Sequence, residues 1–177
     1  GSPLEQMFGK KKFLFFYFSA GLGAAGLQLF ANYIEIQSVF SLLNLNGISL
    51  NSFNDILING SYDRNILNYV DKNDLTNAYS LFNTTLVGAS GAIYGVLVAF
   101  AFLFPNSELM LIFLPIPIKA KYFVPAIILM DLFSAFTGVS ILSPSNTAFY
   151  AHVGGALTGF IMLWYWKRNQ FKDNRWN

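Results

Sequence analysis

Two side chains of this sequence could do nucleophilic chemistry together. Ser90 stands in Gly88-Ala89-Ser90-Gly91-Ala92-Ile93-Tyr94-Gly95, and the single histidine, His152, in Ala151-His152-Val153-Gly154-Gly155-Ala156-Leu157-Thr158-Gly159. Serine alone is a poor nucleophile. An imidazole within hydrogen-bond reach can take its proton and later deliver it to the leaving amine of an acyl-transfer reaction. Both residues lie in stretches that otherwise read as membrane-spanning, where a polar group is costly and invites a functional explanation. The glycines around them serve geometry: Gly91 with Gly95, and Gly155 with Gly159, are small-xxx-small pairs that let two helix backbones approach closely. His152, Gly155 and Gly159 fall at i, i+3 and i+7, one helical face, and Tyr94 at i+4 from Ser90 would project beside the serine. A helix starting near Ser90 would also aim its free N–H groups where an oxyanion forms.

Each residue taken alone has a plainer reading. A serine in a spanning helix usually packs or bonds back to the i−4 carbonyl, and a lone histidine often bonds a neighbouring helix. Tyr94 alone is an interface aromatic. The chemical reading rests on the residues occurring jointly, in the right order and in one membrane leaflet.

Composition says what must position them. The 177-residue chain is 54% hydrophobic and 11% charged, against about 25% charged in soluble domains, so a membrane protein is expected. Without cysteine there is neither a disulfide framework nor a thiolate metal site. No metal or cofactor is expected. A net charge of +2 with no basic, aromatic-interleaved patch argues against nucleic acid.

Four spans are expected, at about 13–34, 86–104, 122–142 and 149–166, each near the roughly 20 residues that cross about 30 Å of hydrocarbon. Trp164-Tyr165-Trp166 at the end of the fourth suits the interfacial belt. Lys10, Lys11, Lys12, Lys119, Lys121, Lys167, Arg168, Lys172 and Arg175 all fall on one side, leaving Arg64 and Lys72 in the long, more acidic connection. The positive-inside rule then puts both chain ends in the cytoplasm and the connection, about 35–80, outside. That connection is expected to form short helices on the outer membrane face. Pro115 and Pro117 turn the Leu111–Leu114 run into an interfacial turn between spans two and three. Asp131, a charge inside the third span, is functional by default or else met by a helix end or interior water; no catalytic role is assigned to it. Asn83, Thr84 and Thr85 could line a path for water or form a plain loop. Ser2, Pro3 and Glu5 predict a helix start, as cap, first-turn proline and capping-box acid. The opening Gly1-Ser2, without an initiating methionine or signal peptide, reads as a piece of a longer protein.

The two motifs resemble those of the rhomboid intramembrane proteases. Residues 88–95 match the pattern G-x-S-G-x-x-Y-G, and Ala151 to Gly159 match A-H-x-G-G-x-x-x-G of that family's last core helix. The resemblance covers the whole chain, 1–177, as a partial rhomboid protease domain: an all-α, polytopic helical bundle holding the last four of six core helices. It implies a serine–histidine dyad with no third acid, in which Ser90 is the nucleophile, His152 the general base and acid, and Tyr94 is stacked on His152. Gly88, Gly91, Gly155 and Gly159 support the site. The implied reaction is hydrolysis of peptide bonds in or near transmembrane segments of protein substrates within the lipid bilayer, the expected partners. The third span would correspond to a mobile helix that gates substrate entry.

The family's H-x-x-x-N motif, which supplies oxyanion donors, is absent from these residues. One such donor is typically worth about 10²–10³ in rate, so this chain alone is expected to be inactive and its parent active. A bacterial inner membrane is the expected location. The rival readings are an inactive rhomboid-like protein that binds membrane clients without cleaving them, and a transporter or channel whose spans carry packing glycines. The sequence leaves substrate identity and oligomeric state open.

Overall fold

The computed structural model describes residues 1–84, 89–111, 114–137 and 149–173. These residues are mostly helical. Helices α1 (Ser2–Phe8), α2 (Lys10–Leu45), α3 (Leu50–Asn59) and α4 (Lys72–Asn83) come first, with a 3₁₀ turn at Arg64–Asn68. Then follow α5 (Ala89–Leu103), strands β1 (Glu108–Leu111) and β2 (Leu114–Lys119), α6 (Ala120–Thr137) and α7 (Phe149–Asp173).

All four expected spans coincide with helices, though not with the expected bounds. The first does not stop at residue 34; α2 continues to Leu45 and has 36 residues. At 1.5 Å per residue that is about 54 Å, well beyond the hydrocarbon thickness. Among the described residues α2 is the one helix long and apolar enough to cross a membrane by length and composition; α5, with 15 residues, is apolar but shorter. The end of the third expected span, 138–142, lies outside the described residues.

The chain forms two compact units, Gly1–Gln28 with Val87–Asn177, and Leu29–Leu86. In the first, α5 packs against α7 through glycine. A Cβ on Gly155 would stand 1.9 Å from the Gly91 carbonyl oxygen, and one on Gly159 2.8 Å from Gly95 Cα. Helix α2 closes the other side with small residues: Ala20 Cβ and Ala24 Cβ lie where side chains on Gly95 and Gly91 would go, at 2.6 and 2.3 Å. One end of this packing is aromatic. Trp166 meets Phe8 edge-on at 5.4 Å, over a core of Leu4, Phe16, Ala99 and Leu163. Trp166 therefore faces inward, whereas its neighbours Trp164 and Tyr165 are exposed. Large apolar side chains such as Phe18, Leu22, Leu129 and Ile161 cover the outside of this unit. That surface suits lipid, not water.

Two expectations change in this unit. The N-cap of α1 is Gly1, with no side-chain cap, so Ser2 is already helical and Pro3 sits in the first turn. Gly9, at φ 77°, ends α1, a conformation only glycine adopts without strain. The proline-containing connection is an antiparallel hairpin, not a simple turn, with Glu108 opposite Lys119 and Leu109 opposite Ile118. A two-stranded ribbon has two open edges, so residues without an N–H are tolerated at alternate positions 115 and 117. Hydrogen bonds from Ala120 N to Ser107 O (2.8 Å) and Lys121 N to Pro105 O (3.2 Å) close its base.

The second unit is the end of α2 with the short helices expected for the connection. Phe53, Ile56 and Leu57 form the buried face of α3 and meet Val39 and Leu43 of α2. Local sequence sets its boundaries: the Ser49 hydroxyl accepts from Ser52 N, Asp71 Oδ1 from Asn73 N at 2.7 Å, and Gly60 ends α3 in the left-handed region. Asn83 Nδ2 donates to the carbonyls of Leu57 and Tyr79, both 2.9 Å, tying α4 to α3. Asn83 thus serves packing. Thr84 bonds back to Ser80 O, and Thr85 lies outside the described residues.

Candidate active site

Ser90 is the second residue of α5, in the turn whose N–H groups have no partner within their own helix. It is partly buried. His152 lies in the first turn of α7 and is 8% exposed. Glycine packing brings these two turns together. A Cβ on Gly91, the residue after Ser90, would come within 2.9 Å of the carbonyl oxygen of Ala151, the residue before His152.

Tyr94, one turn below Ser90, is stacked on the His152 ring with centroids 4.1 Å apart and planes 5° from parallel. The stack fixes the imidazole plane on the α5 side. Gly91, Gly155 and Gly159 are all buried in the α5–α7 contact. Gly88 lies outside the described residues. Ser90 and His152 are not hydrogen-bonded to each other in this structure.

The hydrogen bond of the His152 ring goes elsewhere. Its Nδ1 lies 2.9 Å from Oδ2 of Asp131 on α6, a carboxylate that is 1% exposed. The Tyr94 side chain lies within electrostatic reach of the same carboxylate. Asp131 is therefore answered by a ring nitrogen, a partner that the sequence reading did not name. Ser134, one turn on, donates to the Met130 carbonyl at 2.8 Å and does not compete for Asp131.

A second support was not foreseen. Gln28 of α2, buried, accepts a hydrogen bond from Ala151 N at 3.0 Å. It thereby satisfies one of the orphan N–H groups at the start of α7, next to His152. Helix α2 also touches α7 directly: a Cβ on Gly154 would lie 2.9 Å from Gly23 O. The signals were present as an amide and small residues in an otherwise apolar span, but a helix apolar on every side does not show which side is inside.

An apolar groove of about 580 Å³ opens between α5, α6 and α7, lined by Phe102, Pro125, Leu129 and Phe160 among others. Leu132 and Val153, the neighbours of Asp131 and His152, form part of its wall. Among the described residues no cluster of His, Cys, Asp and Glu could hold a metal ion.

Comparison with known proteins bears on the same segment. A family profile described as the Rhomboid domain matches residues 61–169, which include both motifs. A protein of Schizosaccharomyces pombe, described as an uncharacterized mitochondrial rhomboid protein, is 37% identical over 93 residues. The aligned part is 48% of this chain and 22% of that relative, so the chain spans well under half the relative's length. No solved structure gives a significant match. The mitochondrial relative lends no support to the bacterial inner membrane expected from the sequence. With more than half its length matched by that profile, through both motif-bearing helices, the chain belongs to the rhomboid family of integral membrane proteins.

Proposed function

We propose that this chain carries the catalytic serine and histidine of an intramembrane serine endopeptidase that cleaves transmembrane segments of other membrane proteins. The observation that carries the reading is the Tyr94–His152 stack, 4.1 Å and 5° from parallel, in the helix turns that glycine presses together beside Ser90. In this reading the Ser90 oxygen attacks the scissile carbonyl carbon while His152 Nε2 takes the hydroxyl proton. The same nitrogen returns it to the departing amine, and water hydrolyses the acyl-enzyme by the reverse sequence. Free N–H groups at the start of α5 face the developing oxyanion. The groove beside α6 offers a hydrophobic substrate segment a largely apolar wall.

The test is a fluorophosphonate probe and a cleavable transmembrane reporter, applied to the full-length protein in proteoliposomes. Labelling at Ser90, and cleavage lost by roughly 10⁴-fold or more in Ser90→Ala and in His152→Ala, are expected. Labelling or cleavage that persists in Ser90→Ala overturns the assignment. Reporter binding without labelling points instead to a family member that holds clients and does not cut them.

A further inference from the structure

An ionised carboxylate is among the costliest groups to place inside an apolar helix packing. Asp131 is there all the same, fully enclosed on α6, and its partner is Nδ1 of His152 at 2.9 Å. We propose that Asp131 is the positioning residue of the site, so that the catalytic apparatus is an acid–imidazole–hydroxyl relay and not a dyad. The proposal rests on the assignment of Ser90 and His152 above.

The argument is geometric. An imidazole is a useful base only if the lone pair facing the serine is free, which in the neutral ring requires the proton on the other nitrogen. A carboxylate accepts and does not donate, so Asp131 Oδ2 selects the ring tautomer with the proton on Nδ1. Nε2 is then left as the acceptor for the Ser90 hydroxyl. Once that proton is taken up, the same carboxylate faces an imidazolium and stabilises it. Two contacts then fix the ring: Tyr94 holds its plane, and Asp131 holds its rotation within the plane. The rest of the surroundings leave Asp131 to this task. Ser134 is engaged with its own helix, Tyr94 can only donate to the carboxylate, and among the described residues no lysine or arginine is paired with it. A purely structural ion pair would not need its imidazole in the turn that adjoins the serine.

The experiment compares wild type, Asp131→Asn and Asp131→Glu in the full-length protein. It measures kcat and KM for the reporter, and the tautomer of His152 by ¹⁵N-histidine NMR, with its signal identified by its loss in His152→Gln. Wild type is expected to show protonated Nδ1. Asp131→Asn is expected to shift the neutral ring toward protonated Nε2 and to lower kcat by about 10²–10⁴-fold with KM within a few-fold. Asp131→Glu should restore the Nδ1 tautomer and part of kcat. An Asp131→Asn protein with wild-type kcat or an unchanged tautomer overturns the proposal. If Asp131→Asn does not fold, wild type decides: a ring protonated chiefly on Nε2 refutes it. Cleavage that persists in Ser90→Ala with Asp131 intact would instead refute the assignment on which the proposal rests, a result separable from any effect at residue 131.

Discussion

Adding a single methyl group at Gly155 tests whether close helix approach builds this site. The Cβ of Gly155→Ala would be placed 1.9 Å from the Gly91 carbonyl oxygen, 2.6 Å from its carbon and 3.1 Å from its Cα. Carbon needs about 3.5 Å from such atoms, so α7 must draw back from α5 by roughly 1.6 Å. The obstacle is backbone within a helix, so no side chain can rotate away. Overpacking of this kind costs about 1–3 kcal/mol, offset in part by the 0.5–1 kcal/mol or so that alanine gains over glycine in a helix. The net loss of about 0.5–2 kcal/mol should lower Tm by several degrees. The effect on chemistry is larger, because the retreat separates His152 from the Ser90 turn; a misplacement near 1 Å can cost about 10²-fold. Gly26→Ala is the control. It lies on α2 with no atom within 4 Å of the new methyl, and should match or exceed wild-type Tm with unchanged activity. The assay is thermal unfolding in detergent with the rate of fluorophosphonate labelling. A Gly155→Ala protein as stable and as reactive as Gly26→Ala would refute the reasoning.

Two further outcomes follow from neighbouring contacts. Tyr94→Ala removes a ring stack worth about 0.5–1.5 kcal/mol and should slow labelling by up to about tenfold, while Tyr94→Phe keeps the ring and stays within about twofold; an equal loss in both would mean that the hydroxyl beside Asp131 matters and the stack does not. Gln28→Leu leaves the Ala151 N–H at the start of α7 without its side-chain acceptor and should cost about 1–3 kcal/mol, read as a lower Tm; an unchanged Tm would show that this bond does not hold the His152 turn.

Several features of the fold were legible because they are local. Apolar runs, free of charge except for Asp131 in the third, fell on α2, α5, α6 and α7. Spacing put His152, Gly155 and Gly159 on one face, and that face does meet α5. The end of α2 was misread because Glu35 looked like a boundary. Its carboxylate instead takes a hydrogen bond from Asn77 of α4, so the helix can continue past the apolar run. The hairpin was missed because prolines signal a break and do not say what the flanking residues pair with.

Sequence by itself determined the chemical inventory: Ser90, His152, Tyr94 and the motif glycines, on helices dense enough in apolar residues to lie in a membrane. These are properties of residue type and short-range periodicity, and they hold before any packing. Only tertiary structure decided which groups meet. Asp131 and His152 are 21 residues apart on different helices, and Gln28 and Ala151 are 123 apart. In helices apolar all round, no pattern marks the inward face. The partner of a buried polar group is then settled by which backbones the glycines allow to touch.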